Sequence, residues 1–159
     1  MNWGEEDLEI EIGRVNIDEA QTIQQLQKEC FEEDFKKYGE CPPYSENVEK
    51  LIKKINEDIF YKVSIDNKIV GAIQLYDRHD EHFHLNMICI HPDYQNYSIG
   101  TKLIEFVEKQ YPNLELWTLI TPEKSFRNHY FYEKMGYKKV GEIIKSDCLT
   151  LWEYEKRNK

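Results

Sequence analysis

Apolar and charged residues alternate over residues 8–15, with Leu8, Ile10 and Ile12 set against Glu9 and Glu11, and a period of two predicts a strand. The period then lengthens. Ile23, Leu26, Cys30 and Phe31 recur at helical spacing behind Asp18, which reads as the helix N-cap. Pro42-Pro43 must interrupt any helix, because proline has no amide hydrogen and its ring clashes with the preceding turn. Ser45 stands where it would cap a second helix, whose stripe is Val48, Leu51, Ile52 and Ile55.

Two strands are predicted over residues 59–65 and 68–76, joined by Asp66-Asn67, a pair suited to the positive φ of a tight hairpin turn. Another runs over 82–90 and stops before Pro92. Residues 99–110 read as a helix with Leu103, Ile104 and Val107 inward, and 114–120 as a strand. Pro122 sits near the start of the next helix, which carries Phe126, Tyr130, Phe131 and Met135 and ends at Gly136. Residues 137–144 and 149–154 close the chain as strands. The order β-α-α-β-β-β-α-β-α-β-β is a mixed α+β arrangement, with one strand–helix–strand unit suited to a parallel crossover.

Composition narrows the class without naming it. The 159 residues are 40% apolar and 32% charged and show no repeat or linker, which predicts one globular domain over 1–159. No apolar run reaches the roughly 18 residues of a membrane span. The acidic opening lacks the basic and apolar regions of a signal peptide, so a cytoplasmic location is expected. A net charge of −9 opposes nucleic-acid binding and fits a cationic acceptor. Cys30, Cys41, Cys89 and Cys148 lack the spacing of a metal or redox motif, so no metal is expected, and Cys89 reads as a core residue.

The most informative stretch follows the fourth strand: Ile88-Cys89-Ile90-His91-Pro92-Asp93-Tyr94, then Gln95-Asn96-Tyr97-Ser98-Ile99-Gly100-Thr101. A strand, a short polar turn and a helix start leave several backbone N–H groups unpaired at the positive end of the helix dipole. Ser98 and Gly100 are small enough for close approach of an anion, and Lys102 adds a cation nearby. On these grounds alone, an ordinary capped helix entry explains the segment equally.

The turn resembles the acetyl-CoA signature of the GNAT superfamily of N-acetyltransferases: glutamine or arginine, two residues, glycine, any residue, then glycine or alanine. Gln95 and Gly100 match, and Ser98 stands where glycine is usual. Phe131-Tyr132-Glu133-Lys134-Met135-Gly136-Tyr137 resembles a second segment of that family, and the element order matches over about 10–154.

The resemblance implies a central mixed, mostly antiparallel sheet of about seven strands flanked by about four helices, splayed between the fourth and fifth strands. It implies acetyl-CoA as cosubstrate, a primary amine of a small molecule or protein as acceptor, and a monomer or homodimer. Backbone groups at Ile88, Cys89 and Ile90 would hold the pantetheine, and the turn from Gln95 to Thr101 the pyrophosphate. Ser125 and Asn128 are further possible contacts. Tyr132 matches the tyrosine that protonates the departing thiolate in many members; alternatively it packs its helix against the sheet.

His82, His84 and Asn86 share one face by the period of two. Some arylalkylamine-acetylating members carry two histidines on this strand, at positions that fall here on His84 and Asn86. His84 is therefore the candidate base and Asn86 a substrate contact, with a structural histidine as the alternative and Glu81 as a further candidate. Phe35, Tyr38, Glu40, Cys41 and Tyr44 surround the proline-broken loop, where Tyr38 and Tyr44 would hold a cationic amine by their ring faces or pack the loop. A CoA- or ligand-binding domain of the same fold without catalysis is the other reading.

Overall fold

The computed structural model describes residues 9–158, so Leu8 lies outside the described residues. The first strand, β1, is Glu11–Arg14. A 3-10 turn at Ile17–Glu19 then leads into α1, Ala20–Tyr38. The entry is organised by Asn16, not Asp18. The Asn16 N–H donates to the Glu19 carboxylate and its carbonyl accepts from the Glu19 N–H, both at 2.9 Å. Asparagine followed three residues later by glutamate has capping-box spacing, which outweighs Asp18.

Gly39 closes α1 at φ 77°. The prolines do not simply break the chain. They open a one-turn helix, α2 (Pro42–Ser45), because the first helical positions do not use their N–H groups. Ser45 is the last residue of that turn, and Asn47 caps α3 (Val48–Glu57) by accepting from the Lys50 N–H at 2.8 Å. The described residues thus hold five α-helices, the short α2 being the one not foreseen.

The strands β2 (Ile59–Ile65), β3 (Lys68–Asp77), β4 (His82–Ile90), β5 (Leu116–Pro122), β6 (Lys138–Ile144) and β7 (Thr150–Arg157) join β1 in one sheet. Their order is β1-β2-β3-β4-β5-β7-β6. Asp66 and Asn67 make the β2–β3 turn at φ 51° and 65°. Every neighbouring pair is antiparallel except β4–β5, which α4 (Ile99–Gln110) connects. Pro122 ends β5 instead of opening α5 (Phe126–Lys134). The Glu123 N–H donates to the Thr150 carbonyl at 2.8 Å, holding the chain beside β7 until Ser125.

Two cores cover the faces of the sheet. On one, Leu103, Ile104 and Val107 of α4 pack with Ile73, Leu85, Trp117, Leu119 and Tyr154, and Tyr132 of α5 joins them. On the other, Ile23 and Leu26 of α1 and Leu51 and Ile55 of α3 pack on Phe60, Ala72, Met87 and Cys89. Among the described residues, no helix is long and apolar enough to cross a membrane.

Candidate active site

The parallel pair is brief. β4 and β5 are in register at His82↔Leu116, Phe83↔Trp117 and His84↔Thr118, and then part. Among the described residues, no strand lies beside one edge of β4 from Asn86 to Ile90, leaving backbone N–H and C=O groups able to bind an extended chain as an added strand would.

The cause lies within β4. Gln74 pairs with Met87 and Leu75 with Leu85, so Asn86 is an extra residue, a β-bulge that bends the strand. The bulge also reverses the phase of the side chains. Phe83 and Leu85 enter the core beneath α4, whereas Met87 and Cys89 enter the core beneath α1 and α3. Ile88 and Ile90 then return to the α4 side. Asn86 keeps the face of the histidines, on the side of α1 and α3, where its Nδ2 donates to Gln74 Oε1.

The turn at the end of β4 is tightly formed. Gln95 reaches back so that its Nε2 donates to the Ile90 carbonyl at 3.2 Å. Asn96 and Ser98 both lie in the left-handed region, at φ 74° and 62°, and Ser98 is the residue from which α4 starts. This backbone explains why glycine is usual at the Ser98 position, since a Cβ there crowds the following carbonyl. Ser98→Gly should therefore leave thermal stability unchanged or raise it, by up to about 1 kcal/mol. A clear drop in the melting temperature would count against that account.

The two motif segments meet in space. A Cβ on Gly100 would lie 3.3 Å from Cζ of Phe131, and Arg127 of α5 donates to Oδ1 of Asn96 at 3.3 Å. Ile99 is buried beneath the turn, Tyr97 packs against the same core, and Thr101 is half-buried in the first turn of α4.

At the point where the strands part, Thr118 joins two histidines. Its Oγ1 lies 2.7 Å from Nε2 of His82 and 2.8 Å from Nδ1 of His84. A hydroxyl has one hydrogen, so it donates to one imidazole and accepts from the other. Burial, and then the positive charge of Arg78, pushes the His84 pKa down to about 4. His82 is lowered by burial, Arg78 and Arg157. Thr118 was not foreseen. Its only trace in the sequence is a polar residue between Trp117 and Leu119, and its partners depend on the parallel register.

Tyr132 is buried with its ring 5.9 Å from that of Tyr137 and 6.2 Å from that of Tyr154. Burial raises its pKa well above the ordinary 10, which keeps the phenol protonated. The same helix is pinned to β7. His129 stacks on Trp152 at 4.2 Å, and Tyr154 donates to Glu133 Oε2 at 2.8 Å.

The remaining sequence candidates divide. Asn128 donates to Thr121 Oγ1 at 3.2 Å, and Ser125 Oγ lies 3.4 Å from the hydroxyl of Tyr38, so these three bind α1 and β5 to the start of α5. Tyr44 stacks on Phe35 at 4.5 Å and thereby packs the α1–α2 connection. Burial pushes the Cys41 thiol up to about 11, away from nucleophilic use. Glu81 is exposed in the β3–β4 loop, and Glu115 beside it raises its pKa. A cavity of about 1090 Å³ lies elsewhere, between α1 and β1–β3. It is an open surface basin that takes in His91 but none of the residues singled out for chemistry.

Relatives place this geometry. The curated protein YrkN of Bacillus subtilis (strain 168), itself uncharacterised, is 25% identical over 105 residues, which are 63% of this chain. The match spans 57% of the length of that relative. Among solved structures, the PaiA N-acetyltransferase of Thermoplasma acidophilum, in complex with coenzyme A, superposes with a TM-score of 0.79 at 21% identity. The alignment covers 94% of this chain and 99% of that one. The ribosomal-protein-S18-alanine N-acetyltransferase of Escherichia coli gives a TM-score of 0.78 at 10% identity, covering 94% of both chains. The family model described as an acetyltransferase (GNAT) domain matches residues 19–158. The chain belongs to the GNAT acetyltransferase family.

Proposed function

We propose that the chain transfers an acetyl group from acetyl-CoA to a primary amine by direct attack, with Tyr132 as the general acid. The observation that carries this reading is the parting of β4 and β5 directly beyond the His84–Thr118 pair. An extended pantetheine fits along the free edge of β4, and its pyrophosphate fits the turn from Gln95 to Thr101. The chemistry then needs a base on one side of the thioester and an acid on the other.

The amine nitrogen attacks the thioester carbonyl, the C–N bond forms, and the C–S bond breaks. The departing sulfur takes the Tyr132 proton, which solvent later restores. The proton lost by the amine passes to His84 and, through the Thr118 hydroxyl, to His82 at the more open end. A histidine with a pKa near 4 is a weak base, so its use here is to hand the proton on rather than to keep it.

Because His84 remains neutral down to about pH 4, the acidic limb of the rate, corrected for the neutral fraction of the amine, should fall near pH 4 instead of 6.5. His84→Ala should remove that limb, and a superimposable profile would take His84 out of the proton path. The unfolded chain takes up this proton near 6.5 and the folded chain only near 4, so acidification through that window should also favour unfolding.

Thermal unfolding with CoA and acetyl-CoA tests the donor. A ligand at a hundred times its Kd stabilises by about 2.7 kcal/mol, and no shift in melting temperature would sink the reading. Thiol release against a panel of amines tests the transfer. A thermal shift without turnover would leave a binding domain in place of an enzyme.

A further inference from the structure

Asp58, Gln74 and Asn86 form a hydrogen-bonded chain from the C-terminal end of α3, across β3, to the bulge in β4. Gln74 Nε2 donates to Asp58 Oδ2 at 2.9 Å, and Asn86 Nδ2 donates to Gln74 Oε1 at 3.1 Å. Gln74 is 1% exposed, so neither end of its amide has water as an alternative.

The first member sets the direction of every link. A carboxylate only accepts, so Gln74 must offer Asp58 its NH₂ group and leave its carbonyl at the other end. That carbonyl only accepts, so Asn86 must offer its own NH₂ group. A flipped Gln74 would set oxygen against oxygen at a buried site. The outcome is that the Asn86 side-chain carbonyl is the outward end, and Asn86 stands two residues beyond the last β4–β5 pair. Lys54 and Glu57 of α3 are the charged groups that act on Asp58, with opposite effects.

We propose that Asp58 and Gln74 are positioning residues that turn the Asn86 carbonyl toward the acceptor, making the site selective for primary amines. This rests on the acetyltransferase reading and deepens it. A neutral primary amine has two N–H bonds and a lone pair. One N–H bonds to Asn86 while the lone pair aims at the thioester and the other N–H remains for the base. An alcohol has a single O–H and cannot supply both.

The test uses the best amine of the panel. Asn86→Leu should raise its KM about tenfold, and Asp58→Ala about fivefold, with the KM for acetyl-CoA unchanged. Asp58→Asn, which keeps an acceptor oxygen, should lie between Asp58→Ala and the native protein. Unchanged amine KM values with turnover intact would overturn the relay and leave the acetyltransferase reading standing. A second measurement needs no turnover. In ¹⁵N-labelled protein with an otherwise native spectrum, Asp58→Ala should move the side-chain amide resonances of Gln74 and, one link further, of Asn86. An unmoved Asn86 resonance would overturn the relay whatever the enzyme does.

Discussion

Tyr132→Phe should lower the kcat of acetyl transfer by about 10²–10⁴-fold while acetyl-CoA binds as before, which is the range of a lost general acid. The ring, which supplies the packing against Tyr137 and Tyr154, stays in place. Burial holds the phenol far above its ordinary pKa, so the proton is present at every working pH and is released only to a strong base. A thiolate forming beside a buried phenol loses hydration in the same way, which raises its own basicity. The melting temperature should barely change, because only the hydroxyl is removed. The informative result is the split between rate and binding. Equal losses in both would assign Tyr132 to cofactor binding, and unchanged turnover would remove it from the mechanism.

Gly71→Ala should give the largest effect on stability and carry it into the site. Gly71 of β3 pairs with Ile90 of β4. A Cβ there would stand 2.7 Å from Ile90 Cδ1 and from Val63 Cγ1, and 3.0 Å from the Cys89 carbonyl oxygen. The two methyl groups can turn away. The carbonyl cannot without moving the end of β4, so a cost of about 1–3 kcal/mol follows. For a domain of this size, that lowers the melting temperature by roughly 3–10 °C. Gln95 hangs from the Ile90 carbonyl, so the same displacement should weaken acetyl-CoA binding in calorimetry. Native melting and affinity in the variant would show that β4 shifts without strain.

Much of the frame was readable from local pattern. Helix α4 falls on the residues that its apolar stripe predicted, and Asp66-Asn67 makes the turn that its residue types favour. These depend on neighbours in sequence. The helix entries were less legible, because Asn16 and Asn47 compete with nearby Asp18 and Ser45 and only the folded backbone decides between them. Pro122 suits both the end of a strand and the approach to a helix, and the Glu123–Thr150 bond with β7 settles it.

The bulge was invisible for a different reason. No residue type announces that Asn86 is one more than β3 can pair, and a strict alternation would set Met87 and Cys89 on the face of Phe83 and Leu85, whereas they lie on the other. Thr118 shares that origin, since its two imidazole partners come from a strand that pairs with it only through the crossover. Candidates carried by a motif, such as Gln95 and Tyr132, could be named from sequence. Those defined by register could not.

The contact between Gly100 and Phe131 ties two motifs together as a lock ties two doors. A methyl group gained at 100 would meet the ring edge at 131 at 3.3 Å, so the ring must give by a few tenths of an ångström for the turn to thicken. The turn from Gln95 to Thr101 and the helix bearing Tyr132 thus shape one another, and either segment grafted alone into another scaffold would arrive without the surface that shapes it.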